Sequence, residues 1–385
     1  MKIHEDILYV GVNDYDVALF EGQYPLDRGM AYNSYLIIDE KVALLDTVEK
    51  KFKDEWLRKI KKELKGRSID YLIIHHMEPD HSSNIISLIN EYKDVVIVAS
   101  LRSFTMMQNY FGNDFSDRRI VINDYDKLSL GKHELTFYLA PMVHWPEVMM
   151  SYDFKSKVLF SADAFGKFGV NDKFSEWKNE ARRYYFGIIG KYGKQVSNVL
   201  NKINNLDIEI ICSLHGHVLK GDIDYYLDTY KLWSNYDYEE EGLVIAYTSV
   251  YGNTKEVVDY LVETLKENGY KKVLVYNLVD CDIFEAVSMS FRYSKLLLAS
   301  ITYNNNVFPK MREFINHLKE RNYQNRSIAL IENGSFALNA INTMKMMLLE
   351  LKNIKYIEPN ISILSTLSLA NKKDIEILIK NIKGE

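Results

Sequence analysis

The sequence predicts an α/β protein of two domains, residues 1–240 and 241–385, and three observations carry that reading. The chain has 385 residues, more than one hydrophobic core comfortably holds. Its first part, from about residue 7 to 165, alternates short β-rich runs with turns, and helical patterns lie between them. Its second part alternates apolar runs with helix-length segments, the rhythm of a parallel sheet covered on both faces.

The strand-like runs of the first part are ILYVG, VALFEG, SYLIID, VALLDT, YLIIHH, VVIVAS, LTFYLA and KVLFSA. Asp46-Thr47 closes one of them, and Gly131 and Gly166 punctuate others. FKDEWLRKIKKELKG predicts a helix with Phe52, Trp56, Ile60 and Leu64 on one face. Its interleaved acidic and basic residues mark the other face as solvated. The acidic stretch YDYEEEG at 236–242 predicts a linker. Beyond it come LVIAYT, VLVYNL, KLLLAS, SIALIE and YIEPNISIL, each followed by a helical segment. Five such units predict a flavodoxin-like, doubly wound sheet whose ligand site lies at the carboxyl ends of the strands.

Composition narrows the function. With 47% hydrophobic and 26% charged residues, the chain can bury sizeable cores, and long disorder is not expected. A net charge of −5 offers no basic face to nucleic acid. Two cysteines, Cys212 and Cys281, exclude a disulfide framework and a zinc ribbon and suit a reducing cytosol. MKIHEDILYVGVND lacks an apolar signal core, and no run approaches the length of a membrane span. The expectation is a cytoplasmic protein with no membrane or nucleic-acid partner.

The densest chemistry lies in HHMEPDH, residues 75–81. His76, Glu78 and Asp80 occupy alternate positions directly after a strand-like run, His81 follows, and Pro79 keeps the stretch from being an ordinary helix interior. A loop leaving a strand can aim several such side chains at one point. Imidazole with carboxylate suits zinc, iron or manganese. Three more candidates end apolar runs: His144 in HWPE, Asp163 in SADAFG and His215 in SLHGH. His75, beside His76 on a strand, is expected to face away, and His217 is expected to be incidental.

This set resembles the metallo-β-lactamase superfamily, whose signature HxHxDH is followed by a single histidine, an aspartate and a final histidine. Here Glu78 replaces the second histidine. With HWPE and the flavodoxin-like half, the chain resembles the flavodiiron proteins over essentially its whole length. That resemblance implies an N-terminal αββα metallo-β-lactamase-like domain followed by a flavodoxin-like doubly wound parallel sheet. It also implies two iron ions, one held by His76, Glu78 and His144, the other by Asp80, His81 and His215, with Asp163 bridging. The diiron centre itself is then the catalytic element, with no separate acid or base. The glutamate supports this reading physically. Zinc has no redox chemistry, whereas a carboxylate in place of a neutral imidazole adds negative charge and a hard oxygen donor that favour ferric iron.

TSVYGNT (Thr248, Ser249, Val250, Tyr251, Gly252, Asn253 and Thr254) follows the first strand of the second domain. Hydroxyls, a glycine and a helix start present donors and a favourable dipole to a phosphate, and the stretch resembles the flavodoxin phosphate loop. SITYNNNVFP, with Ser300, Ile301, Thr302, Tyr303, Asn304 and Asn305, is similar to the family's S-P-T-Y-N-N-x-x-F-P, with Ile301 in place of proline. NGSFALNA, with Asn333, Gly334, Ser335, Phe336, Ala337 and Leu338, aligns with the family's G-S-Y-G-W-S-G. Phe336 is expected to pack near a flavin ring, and Leu338 does not stack as tryptophan would. The cofactor implied is FMN.

The resemblance therefore implies an oxidoreductase that takes electrons through FMN and reduces dioxygen to water, nitric oxide to nitrous oxide, or both. It further implies a head-to-tail homodimer or dimer of dimers, which brings the FMN of one subunit beside the diiron centre of the other. The chain holds no rubredoxin-type Cys-x-x-Cys pair, so a separate rubredoxin or similar donor is expected. Two rival readings remain at this stage. A zinc hydrolase fused to a flavodoxin-like domain is opposed by Glu78. A flavin electron carrier or redox sensor with a structural metal is opposed by the complete ligand set.

Overall fold

The computed structural model describes residues 1–172 and 176–384, and the chain divides into two compact units, Met1–Ser234 and Asn235–Glu385. The first unit is built on two mixed sheets. One runs Ile7–Tyr9, Tyr35–Ile38, Val42–Leu45, Tyr71–Ile74, Val96–Ser100, Arg119–Ile122. The other runs Lys127–Ser129, Glu134–Leu139, Met149–Asp153, Val158–Phe160, Ile210–Cys212, Leu219–Lys220. Ile37, Leu45, Ile73 and Val98 from the first sheet share one buried cluster with Phe137, Met149, Val158 and Ile210 from the second. Leu36, Leu44, Leu72 and Ile97 alternate with the inward residues and are also fully buried, so the first sheet is covered on its outer face as well.

The helix Lys53–Leu64 buries Trp56, Ile60 and Leu64 as the spacing predicts. Phe52 falls instead in the 3-10 turn Lys50–Phe52 ahead of it, with its ring centroid 6.3 Å from that of Tyr32.

In the second unit the main strands run Val273–Asn277, Glu240–Tyr247, Tyr293–Tyr303, Arg326–Gly334, Ile354–Leu364 and pair in parallel. This is the 2-1-3-4-5 order of the flavodoxin-like sheet, whose crevice opens where the strand order reverses. The acidic stretch expected as a linker belongs to the fold of this unit. Glu240 opens the first strand and pairs with Lys272 and Arg292, and Glu241 pairs with Lys295 at 2.7 Å. Neighbouring segments supply those cations, which a reading of the stretch alone does not reveal. Among the described residues no helix is long and apolar enough to cross a membrane.

Candidate metal centre and flavin cleft

His76 directly follows the strand Tyr71–Ile74 and His75, and the short helix Pro79–Ser82 opens three residues later with proline at its first turn. That abrupt strand-to-helix turn gathers Glu78, Asp80 and His81 over the strand end. Asp163 and His215 follow Val158–Phe160 and Ile210–Cys212, which are parallel neighbours, so both segments leave the sheet at the same end. His144 follows Glu134–Leu139, which runs in the same direction two strands away.

The side chains form two donor groups, His76, Glu78, His144 and Asp163 in one, Asp80, His81 and His215 in the other. Within each group the donor atoms lie within 4.8 Å of one another. Glu78 Oε2 lies 3.1 Å from Nε2 of both His76 and His144. Asp163 Oδ2 lies 3.4 and 3.1 Å from the same two nitrogens. Its other oxygen, Oδ1, lies 3.6 Å from His81 Nε2 and 3.7 Å from His215 Nε2. One carboxylate therefore presents an oxygen to each group.

These residues fit cations. Both carboxylate oxygens of Asp80 and of Asp163 are buried without a hydrogen-bond partner among the described residues, a costly state for an anion. His215 Nδ1–H donates to the Ala31 carbonyl at 2.8 Å, which leaves Nε2 as a lone pair aimed at His81 Nε2, 3.0 Å away. Burial pushes the pKa of both rings down, and neutral imidazole is the form that ligates metal. His76 and His144 shift the other way. Burial opposes their protonation, but Asp163 with Glu147 and Glu78 outweighs it at His76, and Asp163 with Glu78 raises His144 to about 9. Those protons balance the carboxylates, a role that a divalent cation takes over on binding.

In the second unit a cleft of about 260 Å³ opens between the three loops singled out from the sequence. Ser249, Val250, Tyr251, Asn253, Thr254, Ile301, Thr302, Tyr303, Asn333, Gly334, Ser335 and Phe336 line it. Thr248, Gly252, Ser300, Asn304, Asn305, Ala337 and Leu338 do not line it. Of these, the Thr248 and Ser300 hydroxyls meet at 3.2 Å, and Gly252 takes φ +96° before the helix Asn253–Glu267. The buried Thr254 hydroxyl lacks a partner among the described residues, and at a helix start it suits a phosphate oxygen. Phe336 stands at the rim of the cleft, 97% exposed, as Tyr251 does at 94%.

A model of the ODP family beta lactamase matches residues 30–216, and a Flavodoxin domain model matches residues 244–380. The anaerobic nitric oxide reductase flavorubredoxin of Vibrio vulnificus is 28% identical over 353 residues, 88% of this chain and 71% of that protein. Rubredoxin oxygen:oxidoreductase from Desulfovibrio gigas shares the fold with a TM-score of 0.92 at 24% identity, over 99% of this chain and 97% of that one. The flavodiiron protein from Giardia intestinalis does so with a TM-score of 0.90 at 21% identity, over 100% and 97%. The chain joins a domain matching the ODP family beta lactamase to a flavodoxin domain and is similar over nearly its whole length to flavodiiron proteins.

Two residues beside the metal centre, Glu147 and Glu21, escaped the sequence reading. Glu147, in the same HWPE motif as His144, accepts from His76 Nδ1 at 2.8 Å and from the Met77 N–H at 2.9 Å. It is buried and fixes the ring so that Nε2 points inward. The signal was present, a carboxylate three residues beyond a candidate ligand. Glu147→Ala is expected to weaken metal binding about 10–100-fold, measured by competition with a chelator. Glu21, in the left-handed region at φ +48°, sits near Glu78; burial and the Glu78 charge raise its pKa. His75 lies in neither donor group. Its Nδ1 meets Asp46 at 2.6 Å and its Nε2 meets Ser151 at 2.8 Å. His217 is also outside both groups, with its pKa held down to about 4 by burial and Lys167.

Ser365 is the cleft residue not foreseen. Its N–H donates to the Gly334 carbonyl at 3.1 Å. A Cβ on Gly334 would lie 2.2 Å from the Ala337 carbonyl oxygen and 3.2 Å from Leu338 Cδ2, so glycine lets the loop fold back beside the cleft. Overpacking costs about 1–3 kcal/mol. Gly334→Ala is therefore expected to weaken FMN binding roughly tenfold, read by fluorescence titration of flavin-free protein.

Proposed function

We propose that this chain binds two iron ions and FMN and reduces dioxygen to water, nitric oxide to nitrous oxide, or both. The similar Vibrio vulnificus protein is described as a nitric oxide reductase and the Desulfovibrio gigas one as an oxygen oxidoreductase, so both gases belong in the proposal. The observation that carries it is the Asp163 carboxylate facing both donor groups. In this reading His76, Glu78 and His144 would hold one iron and Asp80, His81 and His215 the other, with one Asp163 oxygen offered to each group. The iron pair supplies the redox change that zinc lacks.

The chain's own residues prepare the site. Glu78, Asp80 and Asp163 offset the ions' charge, and Phe20, Tyr32 and Tyr184 pack their rings 5.5, 6.0 and 5.4 Å from that of His215, which limits access for water. The Tyr184 hydroxyl is buried without a partner among the described residues. Burial and the charges of Asp163, Glu78 and Asp80 keep it protonated, so it can donate to a small polar ligand. In the cleft, Ser249 and Thr254 would hold the FMN phosphate, and the loops at 301–303 and 333–336 would flank its ring.

Electrons come from a separate small carrier of the rubredoxin type. Copies pair head to tail, and the exposed Tyr251 and Phe336 supply surface for that contact. The free thiols Cys212 and Cys281 suit the cytoplasm. The test is to purify the protein, count iron, zinc and FMN, reduce it with rubredoxin and follow both gases by electrode. About two irons per chain with consumption of a gas is the expected result. Zinc in their place with neither gas consumed would sink the reading.

A further inference from the structure

We propose that Glu332 is a positioning residue for the flavin: it fastens the loop 333–340 at both ends and sets a fixed negative charge beneath the cleft. The idea rests on the FMN binding proposed above. Glu332 lies on the strand Arg326–Gly334 and is 6% exposed. Among the described residues it is the one buried carboxylate of the second unit. A carboxylate inside an apolar sheet is costly unless hydrogen bonds hold it, and neutral donors answer both of its oxygens. The Ile341 N–H donates to Oε2 at 3.0 Å, and the Ser362 hydroxyl donates to Oε1 at 2.8 Å.

Ile341 stands in the first turn of the helix Ala340–Leu348, whose own N-cap residue, Asn339, supplies no capping side chain. The first N–H groups of a helix need partners from elsewhere. Two residues at neighbouring strand ends provide them here. Glu332 takes the Ile341 N–H, and Thr302 Oγ1 accepts from the N–H groups of Asn339 and Ala340 at 3.0 and 3.2 Å. Asn339 Nδ2 adds a bond to the Asn305 carbonyl at 2.8 Å. The segment that lines the cleft with Asn333, Gly334, Ser335 and Phe336 is therefore tied from the residue before it to the helix after it. A loop closed in advance spares the ligand the cost of ordering it.

Position in the sheet separates Glu332 from an ordinary helix cap. Ser300, Glu332 and Ser362 stand opposite one another on three adjacent parallel strands. The Thr248 hydroxyl extends this polar row to a fourth strand by meeting that of Ser300 at 3.2 Å. One residue further along the chain, Ser249, Ile301 and Asn333 line the cleft. The row thus underlies the cleft, and Glu332 is its only charge. A neutral amide at 332 could make the same two hydrogen bonds; the carboxylate adds the charge. Reduction makes a flavin more negative, so a fixed anion nearby in a low-dielectric interior opposes it.

The test uses the purified holoprotein. FMN release on dilution is followed by the rise of flavin fluorescence, and the flavin midpoint potential is read from its absorbance during reduction in equilibrium with a redox dye. Glu332→Ala leaves the Ile341 N–H and the Ser362 hydroxyl without their acceptor, and FMN is expected to leave roughly tenfold faster. Glu332→Gln keeps an oxygen for Ile341 and an amide for Ser362 but removes the charge. It is expected to release FMN at close to the wild-type rate and to hold it at a higher midpoint potential. Wild-type release from Glu332→Ala overturns the proposal, as does release from Glu332→Gln as fast as from Glu332→Ala. An unchanged potential in Glu332→Gln reduces the residue to a helix cap and overturns it too. Should Glu332→Ala fail to fold, the release rate and potential of Glu332→Gln decide. Wild-type protein that holds no FMN overturns the functional reading itself, an outcome seen without any variant.

Discussion

Asp163→Asn is expected to strip iron from the chain and abolish gas reduction while FMN stays bound. Asp163 is fully buried, and its two oxygens divide between the donor groups at 3.1–3.7 Å. Asparagine keeps the size and removes the charge. Each ion then loses an anionic ligand, and the protonated His76 and His144 lose the carboxylate they both face. Removing one partner from a buried charge cluster costs about 3–5 kcal/mol, so the variant is expected to be less stable as well as metal-poor. Metal analysis, flavin absorbance and gas electrodes on one preparation check all three outcomes. Full iron retention in the variant would show that the two ions do not share this carboxylate.

The second large effect is expected from Glu78→His, which restores the imidazole of the wider superfamily. Glu78 Oε2 lies between His76 and His144 at 3.1 Å from each, and the two histidines hold its pKa far below the carboxylate norm against the opposing effect of burial. It is the anionic, hard donor of its group that Asp163 does not also share with the other. With histidine there, that group loses one negative charge, and its preference moves from ferric iron toward zinc. Gas reduction is expected to fall roughly a hundredfold, about 2.7 kcal/mol in barrier. The iron-to-zinc ratio of the purified protein is expected to fall with it, and FMN content to stay constant. Unchanged gas reduction would refute this account of the glutamate.

Much of the molecule was legible in the sequence because the signals are local. Short β-rich and helical runs marked the strands and helices, and a doubly wound parallel sheet followed from strands alternating with helices. His76, Glu78, Asp80 and His81 stand within six residues, so a single strand-to-helix turn brings them together. The acidic stretch at 236–242 misled for the complementary reason. Its charges are answered by Lys272, Arg292 and Lys295, residues distant in the chain that no local pattern announces.

By itself, then, the sequence determined which residue types stand at the strand ends, and with them the donor chemistry and the phosphate loop. Tertiary structure decided how those donors are grouped. That Asp163 turns one oxygen to each group, that Glu147 rather than a backbone carbonyl orients His76, and that Tyr184 leaves an unanswered hydroxyl near three carboxylates all depend on how two sheets and their loops meet. So does the position of Ser365 beside Gly334. Direction and separation across the fold are set by packing between segments far apart in sequence, whereas periodicity and turn chemistry act only over a few residues.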